Sequence, residues 1–362
     1  MENDKIKIGT IGYAAHTGLG ILAKSFYDNN IITDVLLCPH QSQGIITDFY
    51  NKKFPSIDVP FDPPQINNFV KDNNLFLQQK ETFLLFCKKI DVLFLFETSF
   101  WMGVWHLLKE MEDRPKIVLM PMYESTPLYW NQSLNIFPDL LLCPSKLDFN
   151  FYKHHTWQDY GVNMECINVP VEVPWNQRKK AIHFVHNAGN DSYNDRNGTL
   201  LLINSLPYIK SPIKLTINTQ NNSRYKDLVN DPRVTVNTGT RKYEDLWTSG
   251  DVFVFPENLN ALSLPLQEAR AAGMYIIAGN RFPINKWIPT EGLIPVKKYK
   301  NINLGQGNIA YAEYEPKELA KKIDQVYNTD ITEYSLQGLE YAKENSWHNL
   351  RSKYISSIKN II

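Results

Sequence analysis

The fold is decided by "DVFVFPENLNALSLPLQEARAAGMYIIAG", Asp251 to Gly279. It opens and closes on short, continuous apolar runs, as strands covered on both faces require. Between them lies a loop, and then a helix of mostly small residues carrying one carboxylate, Glu268. Ser263 is the expected N-cap, with Pro265 in the first turn. The amides around Ala261, Leu262, Ser263 and Leu264 are then expected to face whatever sits above the strand ends, where a helix N-terminus favours an anion by roughly 0.3 to 2 kcal/mol. One turn further in, Glu268 is placed to accept two hydrogen bonds from a vicinal diol such as a ribose. Ala269, Ala271, Ala272 and Gly273 let the helix lie close to its sheet. The competing reading is a buried or solvated Glu on an ordinary helix.

The same alternation extends in both directions. Upstream come "KIKIGTIGY", "TDVLLC", "DVLFLFE", "KIVLMPMYE" and "DLLLCPS", with helical segments such as "NNLFLQQKETFLLFCKK" between several of them. The segment "VPVEVPWNQRKK", Val169 to Lys180, breaks the pattern with two prolines and a basic cluster and reads as a linker. The alternation then restarts at "AIHFVHNAG". The expectation is an α/β protein of two tandem doubly wound, Rossmann-like domains facing across a cleft. The first spans residues 1–172 and the second 173–345, with a closing helix at about 346–362 packing back on the first domain.

Composition narrows the function classes. The 362 residues suffice for two cores, and 43% are hydrophobic, which fits a globular chain rather than a disordered one. Lys plus Arg equals Asp plus Glu at 38 each, so non-specific nucleic-acid binding has no obvious electrostatic source. The opening residues carry no apolar signal core, and no apolar run approaches membrane-spanning length. A cytoplasmic protein with reduced, buried cysteines at Cys38, Cys87, Cys143 and Cys166 is expected, with no metal site, because no pair has ligand spacing.

A second candidate site is "GYAAHTGLG", Gly12 to Gly20. Gly18 and Gly20 allow a tight turn and close approach to a ligand, and His16 lies inside the loop. Glu97 and Glu124 end strands of the first domain and are candidates to orient or deprotonate an acceptor hydroxyl. Trp101 and Tyr123 are candidates to stack on a sugar or base.

The segment from Pro256 to Gly273 resembles the donor-binding signature of GT-B glycosyltransferases, most closely the family-4 type, which reads P-S-x-x-E-G-x-G-L-x-x-x-E-A-x-A-x-G. The second glutamate and its small neighbours stand here as Glu268, Ala269, Ala272 and Gly273, while Asn260 replaces the first glutamate. The resemblance implies that Glu268 holds the nucleotide ribose and that Asn260 stands where the family approaches the donor sugar. "FVHNAGNDSYNDRNGTLLLINSL" resembles the segment opening the second domain, whose Arg and Lys clamp the diphosphate. The Arg position reads His186 or Asn187, and Arg196 is the candidate cation beside the Lys position. "TGTRKYEDLW", with Arg241, resembles the loop near the nucleobase.

The resemblance implies transfer of a sugar from a nucleoside-diphosphate sugar to a hydroxyl acceptor with retention, as a hexosyl- or pentosyltransferase. It implies no metal and no cofactor beyond the nucleotide sugar as co-substrate. Inversion would need a base such as Glu124, His16 or Glu97. The acceptor is open among glycan, small molecule, protein and nucleic acid. Two rivals stand beside this reading. One is a nicotinamide-dependent oxidoreductase, opposed by the incomplete G-x-G-x-x-G. The other is a catalytically inactive nucleotide- or sugar-binding protein, motivated by Asn260 and the displaced clamp.

Overall fold

The structure is a computed structural model that describes residues 6–39, 43–57, 73–97, 102–123, 135–154, 157–189, 195–220, 224–239, 241–303 and 308–362. The chain divides into two compact units, one of Met1–Asn168 with Leu350–Ile362, the other of Val169–Asn349.

The first unit holds a six-stranded sheet in the order β2-β1-β3-β4-β5-β6. Its strands are β1 (Ile8–Tyr13), β2 (Asp34–Cys38), β3 (Val92–Phe96), β4 (Lys116–Met120), β5 (Leu140–Cys143) and β6 (Asn163–Cys166). All neighbouring pairs are parallel. The helices are α1 (Gly18–Asp28), α2 (Asn73–Cys87), α3 (Met102–Lys109) and α4 (Lys146–His154). The continuous apolar runs are the strands: every residue of β1, β3 and β5 is buried. Residues of the last helix, α11 (Trp347–Lys359), complete this unit. Tyr354 packs edge-on against Phe26 at 5.0 Å, and Ser357 donates to Glu165 at 2.6 Å.

The second unit repeats the plan in the order β12-β11-β10-β7-β8-β9, again all parallel. Its strands are β7 (His183–Gly189), β8 (Lys214–Thr219), β9 (Val234–Thr238), β10 (Val252–Phe255), β11 (Tyr275–Gly279) and β12 (Leu293–Ile294). The helices are α5 (Thr199–Ser205), α6 (Arg224–Leu228), α7 (Asp245–Thr248), α8 (Leu264–Ala271), α9 (Pro316–Val326) and α10 (Thr332–Glu344). Alternate residues of the central strands enter two cores. Val252 and Val254 pack with Leu202 and Leu319, while Phe253 and Phe255 pack with Trp247, Leu266 and Ala269. An antiparallel hairpin, β13 (Lys298–Asn303) and β14 (Asn308–Glu313), follows β12.

Two sequence expectations need correction here. The segment read as a basic linker is tied down: Arg178 is only 4% exposed. Its guanidinium donates to the carbonyls of Trp247 at 2.8 Å and Gly250 at 3.2 Å, and also to that of Ala272. Desolvating a guanidinium is costly unless its donors are matched, and carbonyls match them here. Cys166 is exposed, so only Cys38, Cys87 and Cys143 are the buried thiols expected. Burial pushes those three thiols up, Cys87 to about 12.

Candidate functional site

Open parallel sheets bind ligands outside the carboxyl ends of their strands, where the strand order reverses. In the first sheet that point is β1/β3, and in the second it is β7/β10. The candidate residues gather at these two places.

In the second unit, β10 ends at Phe255, and the chain runs through Pro256–Ser263 into α8. Beneath this loop Glu257 is fully buried and paired with Arg281, itself 4% exposed. Arg281 also donates to the Asn260 carbonyl at 3.0 Å and to the Glu257 carbonyl at 3.4 Å. The Tyr314 hydroxyl donates to the same Glu257 carbonyl at 3.0 Å. The loop is thus fixed from below by an ion pair that sequence reading did not find, because its partners follow two different strands, 24 positions apart.

The helix start differs from the expectation. Ser263 sits at the N-cap position but in the left-handed region, φ 49°, and its hydroxyl caps nothing. That hydroxyl is buried beside the Glu257 carboxylate, whose charged form it favours. Asn260 instead closes the turn just ahead of the helix: its Oδ1 accepts from the Leu262 amide at 3.2 Å and the Ser263 amide at 2.9 Å. Two of the amides expected to face an anion are therefore engaged within the chain. Asn side chains favour this local bonding to amides two and three residues on, and an Asn four residues ahead of the helix was the signal available.

Glu268 lies on α8 and is 8% exposed. The Tyr243 hydroxyl donates to its Oε1. Its Oε2 makes no hydrogen bond among the described residues. Desolvation pushes the carboxyl up to about 7, against which Tyr243 pulls down. Burial and the Glu268 charge together raise the Tyr243 phenol above its ordinary range. Tyr243 belongs to the "TGTRKYEDLW" segment, so that loop is anchored on the helix that carries Glu268. Arg241, in the same segment, is exposed.

The β7 end meets the same loop. Arg196 is half-buried and donates from Nε to the Leu259 carbonyl at 3.0 Å, while its own carbonyl accepts from the Asn258 amide at 2.9 Å. Gly198 lets the two segments approach: its φ is 76°, and a Cβ there would lie 2.4 Å from the Pro256 carbonyl oxygen. Asp195 takes the first amides of α5, accepting from Leu200 at 2.8 Å and Leu201 at 3.4 Å. The structure thus brings Arg196 to Asn258–Asn260. His186 is not available as the clamp. It is fully buried, with Nδ1 on the Val254 carbonyl and Nε2 on the Thr199 hydroxyl, both at 2.7 Å. Burial lowers its pKa to about 4, so the ring is neutral and bridges β7 to β10 and α5. Asn187 accepts from Asn218 at 2.9 Å, and its buried Nδ2 has no hydrogen-bond partner among the described residues.

In the first unit, β1 leads into α1 through Ala14–Thr17. Thr17 caps the helix, accepting from the Gly20 amide at 3.2 Å. Gly20 serves the helix itself, since a Cβ there would stand 2.1 Å from the Ala15 carbonyl oxygen. This corrects the expectation that Gly20 frees backbone for a ligand. Gly18 is exposed, and a Cβ there meets nothing within 4 Å. His16 is exposed, with its amide donating to Gln43 Oε1 at 2.8 Å and its ring edge-on to Phe49 at 5.6 Å. Glu97 follows β3 with φ 53°, its amide donating to Met120 O at 3.0 Å. Tyr123 follows β4, and its amide donates to buried Asp148 at 2.9 Å. His16, Glu97 and Tyr123 therefore sit at the same end of three successive strands of the sheet. Trp101 and Glu124 lie outside the described residues.

Among the described residues, no group of three His, Cys, Asp or Glu side chains is placed to hold a metal ion, and no helix is long and apolar enough to cross a membrane.

Solved structures share this architecture along the chain. A glycosyltransferase from Rickettsia africae matches with a TM-score of 0.67 at 14% identity, covering 99% of both chains. Sucrose-phosphate synthase from Thermosynechococcus elongatus matches at 0.69 and 12%, also covering 99% of both. HepE from Anabaena, in complex with UDP and glucose, matches at 0.66 and 11%, covering 98% of this chain and 100% of its own. No protein-family model and no curated protein sequence matches the chain. The fold is that of the GT-B glycosyltransferases, two tandem Rossmann-like units.

Proposed function

We propose that the chain is a glycosyltransferase that moves a sugar from a nucleoside-diphosphate sugar to a hydroxyl acceptor, with retention and without a metal or other cofactor. The observation that carries this reading is Glu268. It is a buried carboxylate whose Oε2 is left unbonded, on the helix that starts at the β7/β10 switch point. A buried carboxylate held by one phenol is costly for a fold that gains nothing from it, and a ribose diol supplies the missing donors. HepE, which shares the fold, is described with UDP and glucose and with UDP-glucose, which supports a UDP-sugar as donor.

In this reading Arg196 balances the negative charge that develops on the leaving diphosphate, and the leaving phosphate oxygen takes the acceptor proton. Glu97, His16 and Tyr123 contribute to the acceptor side, whose ligand is a hydroxyl compound of unassigned class, nucleic acid included. The protein would act in the cytoplasm. One observation favours a second reading, a nucleotide-binding protein without turnover: Asn260 occupies the Leu262 and Ser263 amides.

The test is a thermal-shift panel of nucleoside diphosphates and their sugars, followed by calorimetry on Glu268→Gln. Saturation at about 100 times the dissociation constant adds roughly 2.7 kcal/mol of stability. Removing a charged hydrogen bond lowers affinity about tenfold or more, while a 2′,3′-dideoxy nucleotide is bound as before. Equal losses for both ligands, or none, overturn the reading. Binding without hydrolysis or transfer of any sugar selects the second one.

A further inference from the structure

The contact between Tyr243 and Glu268 joins segments 25 positions apart. What surrounds the carboxylate makes it significant. On α8 itself Arg270 is turned away, stacked on the Tyr341 ring at 4.2 Å and donating to the Trp287 carbonyl. From α10, the Tyr341 hydroxyl donates to Gln267 at 2.8 Å. Arg178, from the segment before β7, is spent on backbone carbonyls. The strands beneath α8 contribute Phe253, Phe255, Ile276 and Ala278, all apolar. Glu244, next to Tyr243, adds a negative charge that acts on the phenol. Desolvation therefore opposes the Glu268 charge, and the Tyr243 hydroxyl is the group that favours it.

We propose that Tyr243 is the positioning residue of the nucleotide site: it donates to Oε1 of Glu268, fixes that carboxylate's orientation and presents Oε2 to the ribose. This rests on the nucleotide reading of Glu268 given above. The bond spends one carboxylate oxygen inside the protein and leaves the other for the ligand. It also fastens the loop bearing Arg241 to α8, so the loop and the ribose site are assembled by a single contact. Without the phenol, Glu268 loses the bond that orients it and the group that offsets its desolvation. It then takes up a proton at a higher pH than in the native protein. A protonated carboxyl accepts from hydroxyls far less strongly than a carboxylate.

The test uses the full chain and the variant Tyr243→Phe, which keeps the ring and removes the donor. UDP, GDP, ADP and CDP are titrated by calorimetry between pH 6 and 9. The tightest of the four is then compared with its own 2′,3′-dideoxy analogue at each pH. The ratio of the two affinities cancels the titration of the diphosphate and reports the ribose contact alone. In the native protein the ratio should rise with pH through a midpoint near 7, where Glu268 ionises. In Tyr243→Phe it should fall about tenfold or more at pH 7, recover towards the native value at pH 9, and show a midpoint at higher pH. A ratio lowered equally at every pH, with the midpoint unmoved, would make Tyr243 a packing residue and overturn the inference. So would a ratio that does not change. If native protein binds none of the four nucleotides, the nucleotide reading itself fails and this inference falls with it. If it binds one but makes no distinction from the dideoxy form, Glu268 is not the ribose ligand.

Discussion

Glu268→Gln should stabilise this protein at alkaline pH and leave it nearly unchanged in acid. The carboxyl is pushed from an ordinary 4.5 to about 7 by desolvation. A native state that holds its proton more tightly than the unfolded chain loses stability as pH rises from the unfolded value through the folded one. At about 1.36 kcal/mol per pH unit, that interval is worth roughly 3 kcal/mol, absent below pH 4.5 and complete by about pH 8. Gln fits the same space, still accepts from Tyr243 through its carbonyl oxygen, and never ionises. Every other group titrates alike in the two proteins and cancels in the difference. The stability difference should therefore be small at pH 5 and reach about 3 kcal/mol in favour of Gln at pH 8. For a unit of this size that is about 6 to 12 °C in melting midpoint. Calorimetric or fluorescence melting at a series of pH values measures it without any ligand. A difference that is flat with pH, or that favours Glu at pH 8, would refute the claim that burial of this carboxylate is left unbalanced.

Other consequences follow from the same contacts. Arg196→Ala should weaken binding of a nucleoside diphosphate about tenfold or more and that of the bare nucleoside much less; equal losses by calorimetry would remove Arg196 from the diphosphate. Gly20→Ala places a Cβ 2.1 Å from the Ala15 carbonyl oxygen and should cost about 1 to 3 kcal/mol in denaturant unfolding. Gly18→Val meets nothing, so it should melt like the native protein and lower sugar transfer only if the loop faces a substrate. Arg281→Met removes the ion-pair partner of buried Glu257, which should cost about 3 to 5 kcal/mol, and adding Glu257→Leu should restore much of it. A double variant no better than the single one would mean that the backbone bonds of Arg281, not the ion pair, hold the loop.

Much of the architecture was legible because parallel strands buried on both faces leave continuous apolar runs. "VLFLF", "LLLC" and "VFVF" can hardly be anything else once flanked by helical segments. Glu268 stood out for a related reason, as a lone carboxylate among small residues between two such runs. What escaped was whatever depends on register. His186 looks like a cationic candidate until β7 is laid beside β10, where it bonds to Val254 and Thr199. Asp148 holds the Tyr123 amide across 25 positions, and Glu257 meets Arg281 across 24. Ser263 was misread for a local reason. It stands at the N-cap position, but a backbone turn to φ 49° leaves its hydroxyl capping nothing, and Asn260 closes the turn ahead of it.

Under the proposed function, these corrections shift where anion binding must come from. A GT-B donor site is expected to share the diphosphate charge among helix N-termini, loop amides and a cation. Here Asp195 takes the Leu200 and Leu201 amides, and Asn260 takes those of Leu262 and Ser263. Each of these amides is satisfied before any ligand arrives, so turning it to a phosphate gains only the difference between two hydrogen bonds, well under the roughly 1 kcal/mol net value of a new one. Arg196, anchored by its Nε to Leu259, is then left with most of the electrostatic task. Asn260 holds the Leu262 and Ser263 amides without bringing a charge; a glutamate at that position would bring a second negative charge towards the diphosphate and would depend on a cation to offset it. On that reading the chain combines a neutral turn residue, an anchored arginine and a carboxylate for the ribose whose ionisation is set by desolvation against one phenol. Nucleotide affinity in such a site should depend more steeply on Arg196 and on pH than on any single backbone amide.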